Sequence, residues 1–423
     1  MTRAFPTPHG ASRMAHGSRP MASPLRIMHV STRLILGGSQ ENTVLSCEGQ
    51  AGAGHAVSLV YGPIYGPEGS LLERVKHHGG IETIETSNLV RDLSPLRDVR
   101  CYFDLKTIIA QWKPDVIHTH SSKAGILGRL AAWKARVPCV VHTIHGLAFH
   151  PYQTKWRNAI YIASERFAAR RCHRIICVAN AMRDQALTAR IGRRDQYVTV
   201  YSGIETEPFV QPKHSPQAMR TELGLAKDDF VLGTIARLAE LKGHDDLLDA
   251  LSPMMHTHPN IKLLWVGDGW WRDRLMKRIQ RLGLESQVVL TGLVEPQRIP
   301  ACLGAMNVLV HPSYREGLPR AVPQALLSGV PAIVYDVDGA KEVCIDGEVG
   351  RLVPPGDLAT LRDAVQWMMD HPKERTAMGR RGREFCRDRF AAAQMVKKLE
   401  TIYAQVLAQR GDDRADPRGN RER

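Results

Sequence analysis

Short apolar runs alternate with longer amphipathic stretches along most of this chain. The first run, Ile27-Met28-His29-Val30, reads as a strand, followed by the loop Leu36-Gly37-Gly38-Ser39, a helix through Leu45 and a second strand over 56–61. A strand over 115–120, a helix over 125–136, a strand over 139–146 that runs out into a loop, and a helix over 155–174 continue the rhythm. Strands over 174–178 and 197–201 close the first half, and Ser202-Gly203-Ile204, Pro208 and Gln211-Pro212 read as a linker. The second half opens with a strand over 230–236 and a helix from near Asp245, then strands over 261–266 and 288–291. Val308-Leu309-Val310 stops at His311-Pro312-Ser313, and a loop carries Glu316-Gly317 into a helix that begins near Pro319, whose fixed φ suits a first turn. Gly329 supplies the left-handed end of that helix, 331–335 is the next strand, and helices follow over 357–369 and 391–408. Strand and helix in strict alternation predict an α/β protein with doubly wound parallel sheets.

A chain of 423 residues exceeds the usual size of one compact core, which divides the pattern into domains over 25–210 and 211–390, with a closing helix over 391–409. Residues 1–24, rich in Arg, Pro, Gly and Ser without a signal peptide's apolar run, are expected to be a disordered extension, and 410–423 a disordered tail. The net charge of +14 is uneven: 25–210 holds 23 basic and 15 acidic side chains, so the first domain is expected to meet an anion or an anionic surface. Nucleic acid is set aside, because neither a recognised module nor a helix built mainly of Lys and Arg is present. Eight scattered cysteines without a C-x-x-C pair indicate reduced thiols in a cytoplasmic protein, and no stretch is long and apolar enough to span a bilayer.

Several loops carry candidate chemistry. Arg237 and Lys242 lie between a strand and a helix N-terminus, where a bidentate guanidinium and an ammonium suit a diphosphate. Glu316 would accept hydrogen bonds from hydroxyls, while Gly37-Gly38 suits close backbone approach to a ligand or simply a tight turn. His118, His120, His142 and His145 collect at neighbouring strand ends. No carboxylate or Cys accompanies them at ligand spacing, so ordinary strand-end histidines are the simpler reading and no metal is expected. The helix over 155–174 reads as a solvated basic face over an apolar core stripe of Trp156, Ile160, Ile162 and Phe167, in preference to a lipid-contacting helix.

At Glu316, Gly317, Ala325 and Gly329-Val330-Pro331 the chain resembles the retaining nucleotide-sugar glycosyltransferases of family 4, which have the GT-B architecture. That family's signature places a second Glu after seven intervening residues, where this chain has Gln324. Arg237 and Lys242 match its Arg-x4-Lys. The resemblance implies two Rossmann-like domains facing across a cleft, donor in the second and acceptor in the first, with the last helix crossing back to the first. It implies that His145 stands beside the donor sugar and acceptor, that Glu316, Arg237 and Lys242 serve the reaction, and that Gly37, Gly38, Gly267, Leu293, Gly317, Leu318, Pro319 and Gln324 line the donor. Its further implications are a nucleoside-diphosphate sugar as substrate, no cofactor, and a glycan or lipid-linked acceptor in polysaccharide or lipopolysaccharide synthesis; the cysteines and the basic first domain add the expectation of a cytoplasmic enzyme, peripheral on the inner face of the membrane. A nucleotide-sugar 2-epimerase shares the architecture, and Gln324 raises the alternative of a non-catalytic binder.

Overall fold

The computed structural model describes residues 23–65 and 69–415; the expected N-terminal extension falls, except for its last two residues, outside them. In chain order the first domain contains β1 (Arg26–Ser31), α1 (Gly38–Gly52), β2 (Ala56–Tyr61), β3 (Ile81–Glu85), α2 (Pro95–Trp112), β4 (Val116–His120), α3 (Ser122–Lys134), β5 (Cys139–Ile144), α4 (Lys155–Ala169), β6 (Arg174–Cys177), α5 (Asn180–Thr188) and β7 (Tyr197–Thr199). The second contains β8 (Phe230–Ile235), α6 (His244–Thr257), β9 (Ile261–Val266), β10 (Val288–Gly292), β11 (Val308–His311), α7 (Ala321–Leu327), β12 (Ala332–Tyr335) and β13 (Gly350–Val353), after which α8 (Ala392–Ala415) returns to the first.

Both sheets are parallel, ordered β3-β2-β1-β4-β5-β6-β7 and β10-β9-β8-β11-β12-β13. Each chain path reverses once, between β1 and β4 and between β8 and β11. At such a point successive loops diverge to opposite faces and leave a crevice beyond the carboxyl ends of the strands. Strands covered on both faces are buried throughout: all five residues of β4 lie inside, its two histidines included.

The domains join through two adjacent crossings. Ile204 donates its N–H to the Phe390 carbonyl (2.7 Å) and accepts from Ala392 N–H (2.9 Å). Beyond this point Met395, Val396, Leu399, Ile402, Tyr403 and Val406 of α8 bury into the first domain against Ile27, Leu45, Val116 and Val141. An apolar stripe of that length anchors the crossing helix, each fully buried side chain contributing about 1.5–3 kcal/mol.

Four expectations need correction. The tail does not begin at 410: α8 continues to Ala415, and Arg410 bonds the His173 ring at 3.0 Å, while the rest of the expected tail, 416–423, lies outside the described residues. The helix expected near Pro319 begins at Ala321, because Pro319 closes a turn through its carbonyl to Val322 N–H (3.0 Å). Pro323 is then its third residue, where no intrahelical donor is yet required. Helix α3 starts at Ser122 rather than 125, immediately after Ser121 turns the chain at φ 62°.

The fourth correction concerns α4, which ends at Ala169, and whose apolar stripe is not core. Trp156, Ile160 and Phe167 are 62%, 51% and 47% exposed, while Glu165, Ala168 and Ala169 make the buried contacts. The buried side of α4 packs on α3, where Arg129 donates to Glu165 at 2.7 Å, and its large side chains face outward.

Candidate active site

The loop after β11 is built around one carboxylate. Glu316 Oε1 accepts from Lys242 Nζ at 2.6 Å and from His311 Nε2–H at 3.0 Å, and Lys242 also reaches Ser313 Oγ at 3.3 Å. Among the described residues Oε2 has no hydrogen-bond partner. Burial alone would push the Glu316 carboxyl up; the Lys242 ammonium and the His311 ring outweigh it and hold the group far below the usual carboxylate range. Glu316 N–H donates to Asp338 Oδ2 (2.8 Å), and Asp338, itself at φ 47°, takes Gln185 Nε2–H from the other domain on Oδ1 (2.8 Å). Glu342, in the helical turn that follows, ties the domains together further: its carboxylate accepts the first N–H groups of α5, from Asn180 (2.9 Å) and Ala181 (3.0 Å).

Glycine brings the two domains into contact here. A Cβ on Gly317 would stand 1.8 Å from the His145 carbonyl oxygen, and one on Gly339 would stand 2.4 Å from the Gly317 carbonyl oxygen. Arg315 of the same loop donates to the Leu147 carbonyl. Glu316 is therefore held at a seam directly opposite the end of β5.

The cleft has two connected lobes. The larger, about 1850 Å³, is lined by Gly37, Gly38, Arg237, Gly267, Leu293 and Gln324 among others. The smaller, about 750 Å³, is lined by His145, Lys242, Glu316, Gly317 and Leu318, and shares Gly37, Gly38 and Arg237 with the first. Pro319 lines neither, and Leu318 packs into the core, which leaves its backbone as the part nearest a ligand. The Arg237 guanidinium lies 5.5 Å from the Trp270 ring centroid. Gly267, at φ 134°, pairs with Gly292 and sits so close to the Ala236 carbonyl that a Cβ would come within 2.3 Å of it. Leu293 follows, half exposed, and Gln324 is buried on the cleft wall. The Gly37-Gly38 turn lies against a side chain: a Cβ on Gly38 would be 2.8 Å from Arg320 Cδ, and Arg320 pairs with Glu41 of α1 at 3.1 Å.

On the first-domain side the histidines form a hydrogen-bonded group that includes His29 of β1, which periodicity alone did not single out. His29 Nε2 bonds Gln50 Oε1 (2.7 Å), His29 Nδ1 bonds His120 Nε2 (2.9 Å), and His120 Nδ1 bonds His145 Nε2 (3.0 Å). His118 bonds the Tyr403 hydroxyl and Thr143 Oγ1, both at 2.6 Å. Single ligand atoms from His29, His118 and His120 lie within 4.8 Å of one another. All six of their ring nitrogens already have partners, so a cation would have to displace hydrogen bonds to bind. His142 is separate, bonded to Thr119. Burial lowers every one of these rings, His29 to about 4 and His145, with Arg320 nearby, to about 3. The group is therefore neutral at neutral pH.

Two Rossmann-like domains with their crevices face to face define the GT-B architecture. Residues 36–208 match the family described as Glycosyltransferase Family 4, and 216–385 match Glycosyl transferases group 1. The chain belongs to the family 4 glycosyltransferases. It is 29% identical over 322 residues to the UDP-Gal:alpha-D-GlcNAc-diphosphoundecaprenol alpha-1,3-galactosyltransferase of Escherichia coli, spanning 75% of this chain and 82% of that one. It is 24% identical to the capsular polysaccharide biosynthesis glycosyltransferase CapM of Staphylococcus aureus, over 78% and 88% of the two chains. Among solved structures, Anabaena HepE in complex with UDP and glucose superposes with a TM-score of 0.76 at 20% identity, covering 90% of this chain and 99% of HepE. WaaG, a glycosyltransferase involved in lipopolysaccharide biosynthesis, gives 0.70 at 16% identity, covering 89% and 99%. No helix among the described residues is long and apolar enough to cross a membrane.

Proposed function

We propose that this glycosyltransferase moves a sugar from a nucleoside-diphosphate donor to a lipid-linked glycan acceptor in cell-surface polysaccharide synthesis, with retention at the anomeric carbon and without a metal. The observation that carries the proposal is the Lys242–Glu316–His311 group at the second sheet's reversal point, facing His145 across a glycine seam. Departure of the nucleoside diphosphate develops negative charge on phosphate, which Lys242 and Arg237 are placed to stabilise as fixed cations. Lys242 already holds Glu316, so the carboxylate that receives sugar hydroxyls and the cation that receives the diphosphate form one unit. The nucleoside would occupy the larger lobe, its base near the Leu293 backbone and its ribose near Gln324. The acceptor hydroxyl would enter from the first domain beside His145 and attack on the face that the leaving phosphate vacates, and that phosphate takes its proton.

A lipid-linked acceptor is supported by the relatives and by the outer surface of the first domain. Leu93, just before α2, and Leu96, Val99 and Phe103 on it are 57–78% exposed, interleaved with Arg97, Arg100 and Lys106. Trp156, Ile160 and Phe167 of α4 stand among Lys155, Arg157 and Arg166. Apolar and aromatic side chains mixed with cations suit the headgroup region of an anionic membrane.

The test is transfer from a panel of nucleoside-diphosphate sugars to a polyprenyl-diphosphate-linked sugar in anionic vesicles, with product anomers assigned by NMR. Retained configuration, full activity in the presence of chelator and a fall in vesicle binding with salt are expected. An inverted product, or a donor converted to its epimer without acceptor, would refute the proposal.

A further inference from the structure

The line Gln50–His29–His120–His145 runs from α1 through β1 and β4 to the cleft, with every link between 2.7 and 3.0 Å. His29 and His120 are essentially inaccessible to solvent, so the line must satisfy itself without bulk water. A neutral imidazole carries one proton and one lone pair, and each link needs one of each.

One end sets the direction of the whole line. The Gln50 carbonyl can only accept, so His29 donates from Nε2 and its Nδ1 accepts. His120 then donates from Nε2 to His29 and accepts on Nδ1, and His145 donates from Nε2 to His120. The other side of the same amide leads into a second branch. Its Nε2–H donates to the Tyr403 hydroxyl (3.2 Å), the hydroxyl donates to His118 Nδ1, and His118 Nε2–H donates to Thr143. Turning the amide over would reverse every bond in both branches at once.

We propose that Gln50, His29 and His120 are positioning residues that hold His145 as the Nε2–H tautomer, so that Nδ1 is its acceptor nitrogen at the cleft. The consequence rests on the role given to His145 above: the ring receives a hydrogen bond from a substrate hydroxyl and does not donate one. Its partner is thereby a hydroxyl or amide N–H of the sugar or acceptor, not a phosphate oxygen. Because Tyr403 belongs to α8, the helix that crosses between the domains takes part in the same network.

The experiment is a long-range proton–nitrogen spectrum of the full chain labelled with nitrogen-15 histidine, with His145 assigned by the signal lost in His145→Gln. A protonated Nε2 and an unprotonated Nδ1 are expected; a protonated Nδ1 overturns the proposal. Kinetics give a second measurement. His120→Phe removes the acceptor for His145 and should lower kcat roughly tenfold to a hundredfold, as a misplaced group does, with nucleoside-diphosphate affinity changed by less than about twofold. His120→Asn restores an oxygen near the place of Nδ1 and should recover most of kcat. Equal kcat in the Phe and Asn variants overturns the positioning role. Wild-type activity in His145→Ala would instead defeat the catalytic reading of His145, while the spectrum would still decide the tautomer.

Discussion

The two reversal points of this molecule have the same backbone plan and opposite electrostatics. At the first, burial keeps a set of imidazoles neutral, and hydrogen bonds alone order them. At the second, Glu316 is largely enclosed, with its side chain 15% exposed, yet remains ionised, because an ammonium and an imidazole N–H end on one of its oxygens. Burial penalises charge at both places; what differs is whether an opposite charge is supplied. On the mechanism proposed above, charge that develops on a leaving diphosphate would be met by the second domain, while the first would offer direction without charge.

Acid should break the comparison most strongly. His29 is lowered to about 4, and His118, His120 and His142 lie well below their usual value, in each case chiefly through burial. Folded values below unfolded ones mean that stability from the neutral rings is complete above about pH 6.5 and is lost as pH falls towards 4. Glu316, also depressed, keeps its contribution above about pH 4.5 and loses it progressively as pH falls further. Urea unfolding should therefore show a loss of several kcal/mol across that window. A flat midpoint between pH 6.5 and 4 would mean the rings are charged in the fold.

Glu316→Ala comes next, with turnover expected to fall about a hundredfold or more, since a preorganised contact supplies a few kcal/mol. The chain should still fold, and unchanged turnover would remove the carboxylate from the mechanism. Changing Arg237 or Lys242 to Ala should weaken nucleoside-diphosphate binding roughly tenfold or more while barely affecting the nucleoside. The double variant should lose less than the two single losses combined. Calorimetry that finds both ligands weakened equally would argue against a diphosphate clamp.

The smallest effect is expected from Gln324→Glu. An amide can accept from one ribose hydroxyl and donate to the other, but a carboxylate makes the stronger, charge-assisted bond, about 1.5–3 kcal/mol against about 1. Donor affinity should tighten by less than about tenfold at constant turnover. If activity appears only in the Glu variant, the natural chain is a binder and not a catalyst.

The sequence made the second domain's chemistry more legible than the first's. Glu316, Lys242 and Arg237 sit in strand-to-helix loops whose punctuation is local, and loops at the carboxyl ends of parallel strands have a known use. His29, Gln50 and Tyr403 meet partners 21 to 353 positions away, so strand periodicity placed the rings on a face without saying what that face met. The outward stripe of α4 was misread for a related reason: helical spacing shows that a stripe exists, not which neighbour covers it. Asp338 and the His311 bond to Glu316 carried no signal beyond ordinary strand-end polarity, and only tertiary packing gives them a task.

Gly317 has a consequence for how such a protein can diversify. With any side chain at 317, the loop could not come as near the His145 carbonyl as it does, because the first carbon would already stand 1.8 Å from that oxygen. The spacing between the halves is thus set by an absent atom. Descendants that take new sugars or acceptors are free to remodel the walls of the 1850 Å³ lobe, but a replacement at 317 would widen the gap for every substrate at once. Novelty in this lineage has room at the periphery of the cleft and very little at its narrowest point.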